Sequence, residues 1–236
     1  MVKFTSENAP KKTITKANRK PGRRKRRLKM PTVSGGAPAS KSAGNRRLRK
    51  VRAVVLIGFM GAGKSSVGRI LGKQLGWTFE DLDERIERRE RRTVPEIFRD
   101  FGEAEFRRVE HAALRELLGE LRAGAGKVVA LGGGAFAQNH NAGLIEAANV
   151  PTMFLDASAE ELWRRCKKQA ERERIERPLL GSLASFRELY QARRPHYLRA
   201  AFRQETSGKT VEEIAAELAH ALGLTRSESG GRRGEK

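Results

Sequence analysis

The stretch Ala53-Val-Val-Leu-Ile57-Gly58-Phe-Met-Gly-Ala-Gly63-Lys64-Ser65 decides the fold. A short apolar run fit for a buried parallel strand leads into G-x-x-x-x-G-K-S. Beyond it Val67, Ile70, Leu71 and Leu75 recur on one face of a helix that opens near Gly63. A plain strand-to-helix turn needs glycines only for torsions that other residues resist. That requirement accounts for Gly58, Gly61 and Gly63 but not for the Lys-Ser pair in register behind them. A phosphate cradle accounts for both: backbone N–H groups of Gly61, Ala62, Gly63, Lys64, Ser65 and Ser66 turn inward around a nucleotide's phosphates. The helix N-terminus adds its positive end, Lys64 reaches the β- and γ-phosphates, and the Ser65 hydroxyl ligates Mg²⁺.

Outward from this stretch, short apolar runs alternate with longer amphipathic ones. Trp77–Glu80, Val128–Leu131, Thr152–Leu155 and Arg203–Thr206 read as further strands. Helices are marked by capping boxes at Thr93/Glu96, Ser158/Glu161 and Thr210/Glu213, and by the apolar stripe from Val109 to Leu121. Strands alternating with helices predict an α/β fold with a parallel sheet covered on both faces.

The chain of 236 residues carries a net charge of +21, unevenly spread. Seventeen of its 49 basic side chains and one of its 28 acidic ones (Glu7) lie in residues 1–50. That segment has too little to bury to offset its own conformational entropy, so it reads as a disordered basic arm. A globular domain is expected over 51–224 and a flexible tail over 225–236. Three readings of the arm stay open. It is an inert tail, with translation beginning at Met30; an organellar address; or a nucleic-acid tether acting through counterion release. The single cysteine, Cys166, excludes an intrachain disulfide framework and fits a reducing compartment. The run Ala53–Ile57 is far short of the ~20 apolar residues that cross a bilayer. A cytoplasmic protein with no membrane partner is expected.

Four further features bear on a second substrate. Asp81-Leu-Asp83 follows a predicted strand, where i and i+2 spacing puts both carboxylates on one side, one toward a metal and one toward an acceptor hydroxyl. Arg107, near a helix start, is able to fork onto a carboxylate, or to pair along its own helix with Glu110. Gly132-Gly133-Gly134 follows the VVAL strand, where open α/β sheets let ligands approach the backbone. Lys167–Glu176 is almost wholly charged, as a mobile lid or an exposed helix end would be.

Together GFMGAGKS, DLD, FGEAEFRRVE, LGGGA, RPLL (Arg177–Leu180) and Arg193-Arg-Pro-His-Tyr197 resemble the ordered motif set of shikimate kinases, from about Val54 to Leu222. The resemblance implies a P-loop kinase fold with a five-stranded parallel sheet of order 2-3-1-4-5 and a mobile lid over about 167–180. It implies transfer of the ATP γ-phosphate to the 3-hydroxyl of shikimate, a step of chorismate and aromatic amino-acid biosynthesis. It assigns Lys64 and Ser65 to phosphate and Mg²⁺, Asp81 to the metal and Asp83 to the acceptor hydroxyl as base. Arg107 and Arg193 would hold the shikimate carboxylate beside Gly132, Gly133 and Gly134. Arg177 would be the lid arginine on the transferring phosphate, and Arg165 a nucleotide contact near the adenine. The chain departs from the family in a lid several residues longer than in compact members. A monomer binding shikimate and Mg-ATP is expected. The rivals are an effector sensor with a nucleic-acid-binding arm, and a P-loop kinase for another hydroxy acid such as gluconate.

Overall fold

Strand β1 (Ala53–Ile57) is buried along its whole length, so its neighbours and the layers above and below it must all be apolar. It pairs in parallel with β3 (Lys127–Ala130) on one side, Val54 opposite Val128, and with β4 (Thr152–Asp156) on the other, Leu56 opposite Met153. Strand β2 (Thr78–Asp81) lies outside β3 and β5 (Phe202–Glu205) outside β4, giving the order β2-β3-β1-β4-β5. The two edge strands, TFED and FRQE, are the more polar and less buried ones, as edges that must not recruit other chains should be. The computed structural model describes residues 52–121, 124–173 and 181–224. The expected arm (1–50), Met30, Arg177 and the tail (225–236) lie outside these residues.

Each strand is followed along the chain by a helix. The helices among the described residues are α1 (Lys64–Leu75), α2 (Leu82–Glu90), α3 (Val94–Leu121), α4 (Asn139–Ala148), α5 (Ala159–Glu173), α6 (Leu183–Tyr197) and, after β5, α7 (Val211–Ala221). Helix α3 bends sharply where Gly102 takes φ 80° and ψ 176°. No helix among the described residues is long and apolar enough to cross a membrane. The carboxyl ends of β1 to β4 all open on one edge of the sheet, where α/β folds place their ligands.

Four expectations need adjustment. The strand expected at Val128–Leu131 begins one residue earlier, because Lys127 N already donates to Arg52 O and its ammonium pairs with Glu80. The strand expected at Trp77–Glu80 lies one residue later, and the one expected at Arg203–Thr206 one residue earlier. The boxes at Thr93/Glu96 and Thr210/Glu213 are reciprocal, but Ser158/Glu161 is only half formed. The Glu161 carboxylate turns instead to Arg164 and Arg165. The charged stretch from Lys167, read as a mobile lid or an exposed helix end, is helical as far as Glu173, where it continues α5.

Close approach fixes α1 on the sheet. A Cβ on Gly68 would stand 2.3 Å from Phe79 Cε2, so only glycine lets the helix carrying Lys64 and Ser65 lie this near β2. Gly68→Ala is therefore expected to cost about 1–3 kcal/mol of stability through overpacking. Thermal denaturation should show Tm lower by several degrees; an unchanged Tm would mean that the ring moves aside freely.

Candidate active site

The loop between β1 and α1 holds three glycines at positive φ: Gly58 (149°), Gly61 (79°) and Gly63 (84°), the last being the N-cap of α1. Gly58 and Gly61 are also sterically required. A Cβ at Gly58 would stand 2.7 Å from Leu155 O, and one at Gly61 2.7 Å from Leu162 O and from Cys166 Sγ. Lys64 Nζ donates back across the loop to Gly58 O at 2.9 Å and Phe59 O at 3.1 Å, so its charge sits over the loop's centre. Burial lowers its pKa, and the nearby Asp83 and Asp81 oppose that shift. Ala62 is buried, and Ser66 is exposed in the first turn of α1.

The Ser65 hydroxyl donates to Asp81 Oδ2 at 2.6 Å, joining the phosphate loop to the end of β2. Asp81 is both the last residue of that strand and the N-cap of α2, accepting from Asp83 N at 3.0 Å. This corrects the expected origin of the pair: Asp83 belongs to the first turn of a helix and does not share a strand face with Asp81. The helical turn rather than β alternation sends the Asp83 carboxyl toward Lys64. Asp83 Oδ1 is buried with no hydrogen-bond partner among the described residues. Burial, reinforced by Asp81 and Glu110 and opposed by Lys64, raises its pKa to about 7.

The triple glycine after β3 is where the remaining groups meet. A Cβ on Gly132 would lie 2.5 Å from Asp83 Oδ1, and one on Gly134 2.8 Å from Arg107 Nη2; a Cβ on Gly133 would reach Arg193 Nη1 at 3.9 Å. Arg107 is half-buried and doubly paired, through Nη1 to Glu110 Oε2 at 2.9 Å and through Nη2 to Glu103 Oε1 at 3.0 Å. Both readings of its spacing therefore hold together: it pairs along its helix and still faces the glycine strip. Arg193, on α6, stands 5.8 Å over the ring of Phe59 in the phosphate loop.

Asp81, Asp83, Arg107, Gly132, Gly133, Gly134 and Arg193 are thus gathered beside Lys64 and Ser65. Arg165 is not among them. Its guanidinium bonds Glu161 and both oxygens of Thr206, at the turn between β5 and α7. Three neighbours of the site were not singled out from the sequence. Glu110 read only as a pairing partner, yet it is buried, with Oε1 unpartnered among the described residues and its pKa raised by burial. Phe59 sits edge-on to Phe186 and Tyr190 at 5.0 and 5.5 Å. Tyr197 completes that face of α6. The spacing Phe186, Tyr190, Arg193, Tyr197 is a helical stripe that was legible in principle.

A model of the shikimate kinase family matches residues 60–223. A shikimate kinase of Geobacter sulfurreducens is 41% identical over 171 residues, 71% of this chain and 89% of the relative. One of Thermus thermophilus is 41% identical over 172 residues, 72% of this chain and 89% of the relative. Among solved structures, the shikimate kinase of Acinetobacter baumannii in complex with shikimate aligns with a TM-score of 0.65 at 31% identity, covering 75% of this chain and 96% of that one.

Two outcomes follow from the electrostatics. Replacing Lys64 by methionine should weaken binding of a fluorescent ADP analogue at least tenfold while the circular dichroism spectrum is retained; undiminished binding would remove Lys64 from the phosphate site. Asp83 acts on stability through its raised pKa. Below about pH 4 both states hold the proton and no penalty is present. As pH rises from about 4 to about 7 only the unfolded chain ionises freely, and stability is lost. Asp83→Asn should therefore raise Tm more at pH 8 than at pH 4; an equal gain at both would contradict the buried carboxyl.

Proposed function

This chain belongs to the shikimate kinase family, and from that premise we propose that it transfers the γ-phosphoryl group of Mg-ATP to the 3-hydroxyl of shikimate, giving shikimate 3-phosphate and ADP. The observation that carries the reading is the convergence of Asp83, Arg107 and Arg193 on one side-chain-free strip beside the phosphate loop. A small acceptor with one carboxylate and several hydroxyls asks for that set: cationic forks for the carboxylate and a carboxylate for the hydroxyl.

In this reading Lys64 leaves the Gly58 and Phe59 carbonyls for the β- and γ-phosphate oxygens. The N–H groups of Gly61 to Ser66 and the start of α1 surround the same phosphates. The Ser65 hydroxyl and Asp81 carboxylate are hard oxygen donors 2.6 Å apart, and fit magnesium, which they would hold between them. When bound, the ion neutralises charge on the phosphates. Asp83 Oδ1, which has no other partner among the described residues, takes the proton of the acceptor hydroxyl. The freed oxygen bonds the γ-phosphorus as the bond from that phosphorus to the bridging oxygen breaks, and ADP departs with that electron pair. Arg107 and Arg193 hold the acceptor carboxylate, so that the hydroxyl rather than the carboxylate meets the phosphate. Arg177, outside the described residues, is proposed to reach the transferring phosphate from the lid, and Arg165 to border the nucleotide.

Every one of these groups comes from residue 58 onward in a single chain. We take the enzyme to act as a cytoplasmic monomer, with the basic residues 1–50 outside the chemistry. ADP release measured with shikimate, quinate and gluconate tests the proposal. Turnover should need shikimate and Mg²⁺, and kcat/KM should rise with pH through an apparent value near 7 as Asp83 becomes a base. Turnover on gluconate alone would reassign the acceptor, and nucleotide binding without turnover on any of the three would favour a sensor.

A further inference from the structure

The glycine strip is held by its carbonyl groups, and one of the three is held differently from the others. Gly132 O accepts from Ala135 N at 3.1 Å and Gly134 O from Ala137 N at 3.2 Å, both through the short 3₁₀ turn Ala135–Ala137. Gly133 O is taken by a side chain, the hydroxyl of Tyr197. The Arg193 guanidinium lies close by: its Nη1 stands 3.9 Å from where a Cβ on Gly133 would be, and its charge acts on the same hydroxyl. The tyrosine is 1% exposed, its ring packed 5.3 Å from that of Phe154 in the middle of the sheet. It ends the stripe of α6 on which Phe186 and Tyr190 clasp Phe59 of the phosphate loop.

We propose that Tyr197 is a positioning residue for the acceptor: its hydroxyl donates to Gly133 O beside the Arg193 guanidinium, fixing the middle of the strip beneath the acceptor next to the arginine proposed to bind the acceptor's carboxylate. This rests on the shikimate reading and deepens it. Burial keeps the phenol protonated, with a pKa raised to about 12, so the donor to Gly133 is present at every working pH. Without the hydroxyl, Gly133 O would be left half-buried and unpaired, and the middle of the strip would be free to turn. Lys64, Ser65 and Asp81 touch none of these atoms, so the nucleotide side should not register the loss.

Tyr197→Phe keeps the ring in place and removes only the hydroxyl. Its KM for shikimate should rise about tenfold, the scale of one lost buried hydrogen bond, with KM for ATP and kcat within about twofold of wild type. Phe154→Leu serves as a control. It loosens the same ring from the sheet and should lower Tm while leaving the ratio of the two KM values unmoved. A Tyr197→Phe enzyme whose shikimate KM is unchanged, or whose two KM values rise together as Tm falls, overturns the positioning role. A wild-type enzyme inert toward shikimate overturns the functional reading itself, and this inference with it. The parallel wild-type assay separates the two failures.

Discussion

A methyl group on Gly132 would sit 2.5 Å from Asp83 Oδ1, and one on Gly134 2.8 Å from Arg107 Nη2. The site depends on that constraint. Only a backbone without side chains lets a carboxylate from α2 and a guanidinium from α3 lie against the end of β3, beside the loop that follows β1. Glycine at these positions serves close approach rather than left-handed torsion, since none of Gly132, Gly133 and Gly134 has positive φ. The phosphate loop is the opposite case, where Gly58, Gly61 and Gly63 all take positive φ. Two glycine runs, required for two different reasons, face each other across the space where a phosphate and an acceptor would meet.

That arrangement concentrates charge where water is scarce. Burial lowers the pKa of Lys64 and raises those of Asp83 and Glu110, and in each case it is the first cause. Each charged partner offsets only part of that penalty. Lys64 moderates the shift of Asp83, and Arg107 that of Glu110. A fold selected for stability alone would place apolar side chains here. The cost is borne by the core of β1, β3 and β4, whose apolar side chains are buried on both faces of the sheet. Under the proposed function, those strained electrostatics would serve a lysine that exchanges carbonyl partners for phosphate and an aspartate whose proton affinity matches working pH.

Legibility in the sequence followed the distance over which each contact acts. The phosphate loop was readable from Gly58 to Ser65 because strand, turn and helix are contiguous. The reciprocal capping boxes at Thr93 and Thr210 were readable for the same reason. Asp81 and Asp83 were found, but the geometry joining them was misassigned, because nothing in the DLD string says whether the chain has already turned into α2. The strand order came from family resemblance, since crossovers leave no local mark. Glu110 and Tyr197 went unsingled because each meets a partner far along the chain, Asn141 for one and Gly133 for the other. For the charged run after Lys167 the sequence left two readings, and the exposed helix end is the one seen as far as Glu173. Lack of an apolar stripe there marks a solvent-facing continuation of α5.

The central claim is that acceptor and phosphate share the space between the glycine strip and the phosphate loop, and a crystal structure of the enzyme with ADP, Mg²⁺ and shikimate tests it most directly. The account predicts a shikimate hydroxyl within hydrogen-bond distance of Asp83 Oδ1, with the carboxylate on Arg107 and Arg193. Shikimate seated elsewhere would contradict it, for instance in the open depression of about 450 Å³ where Arg194 and Arg203 pair with Asp156.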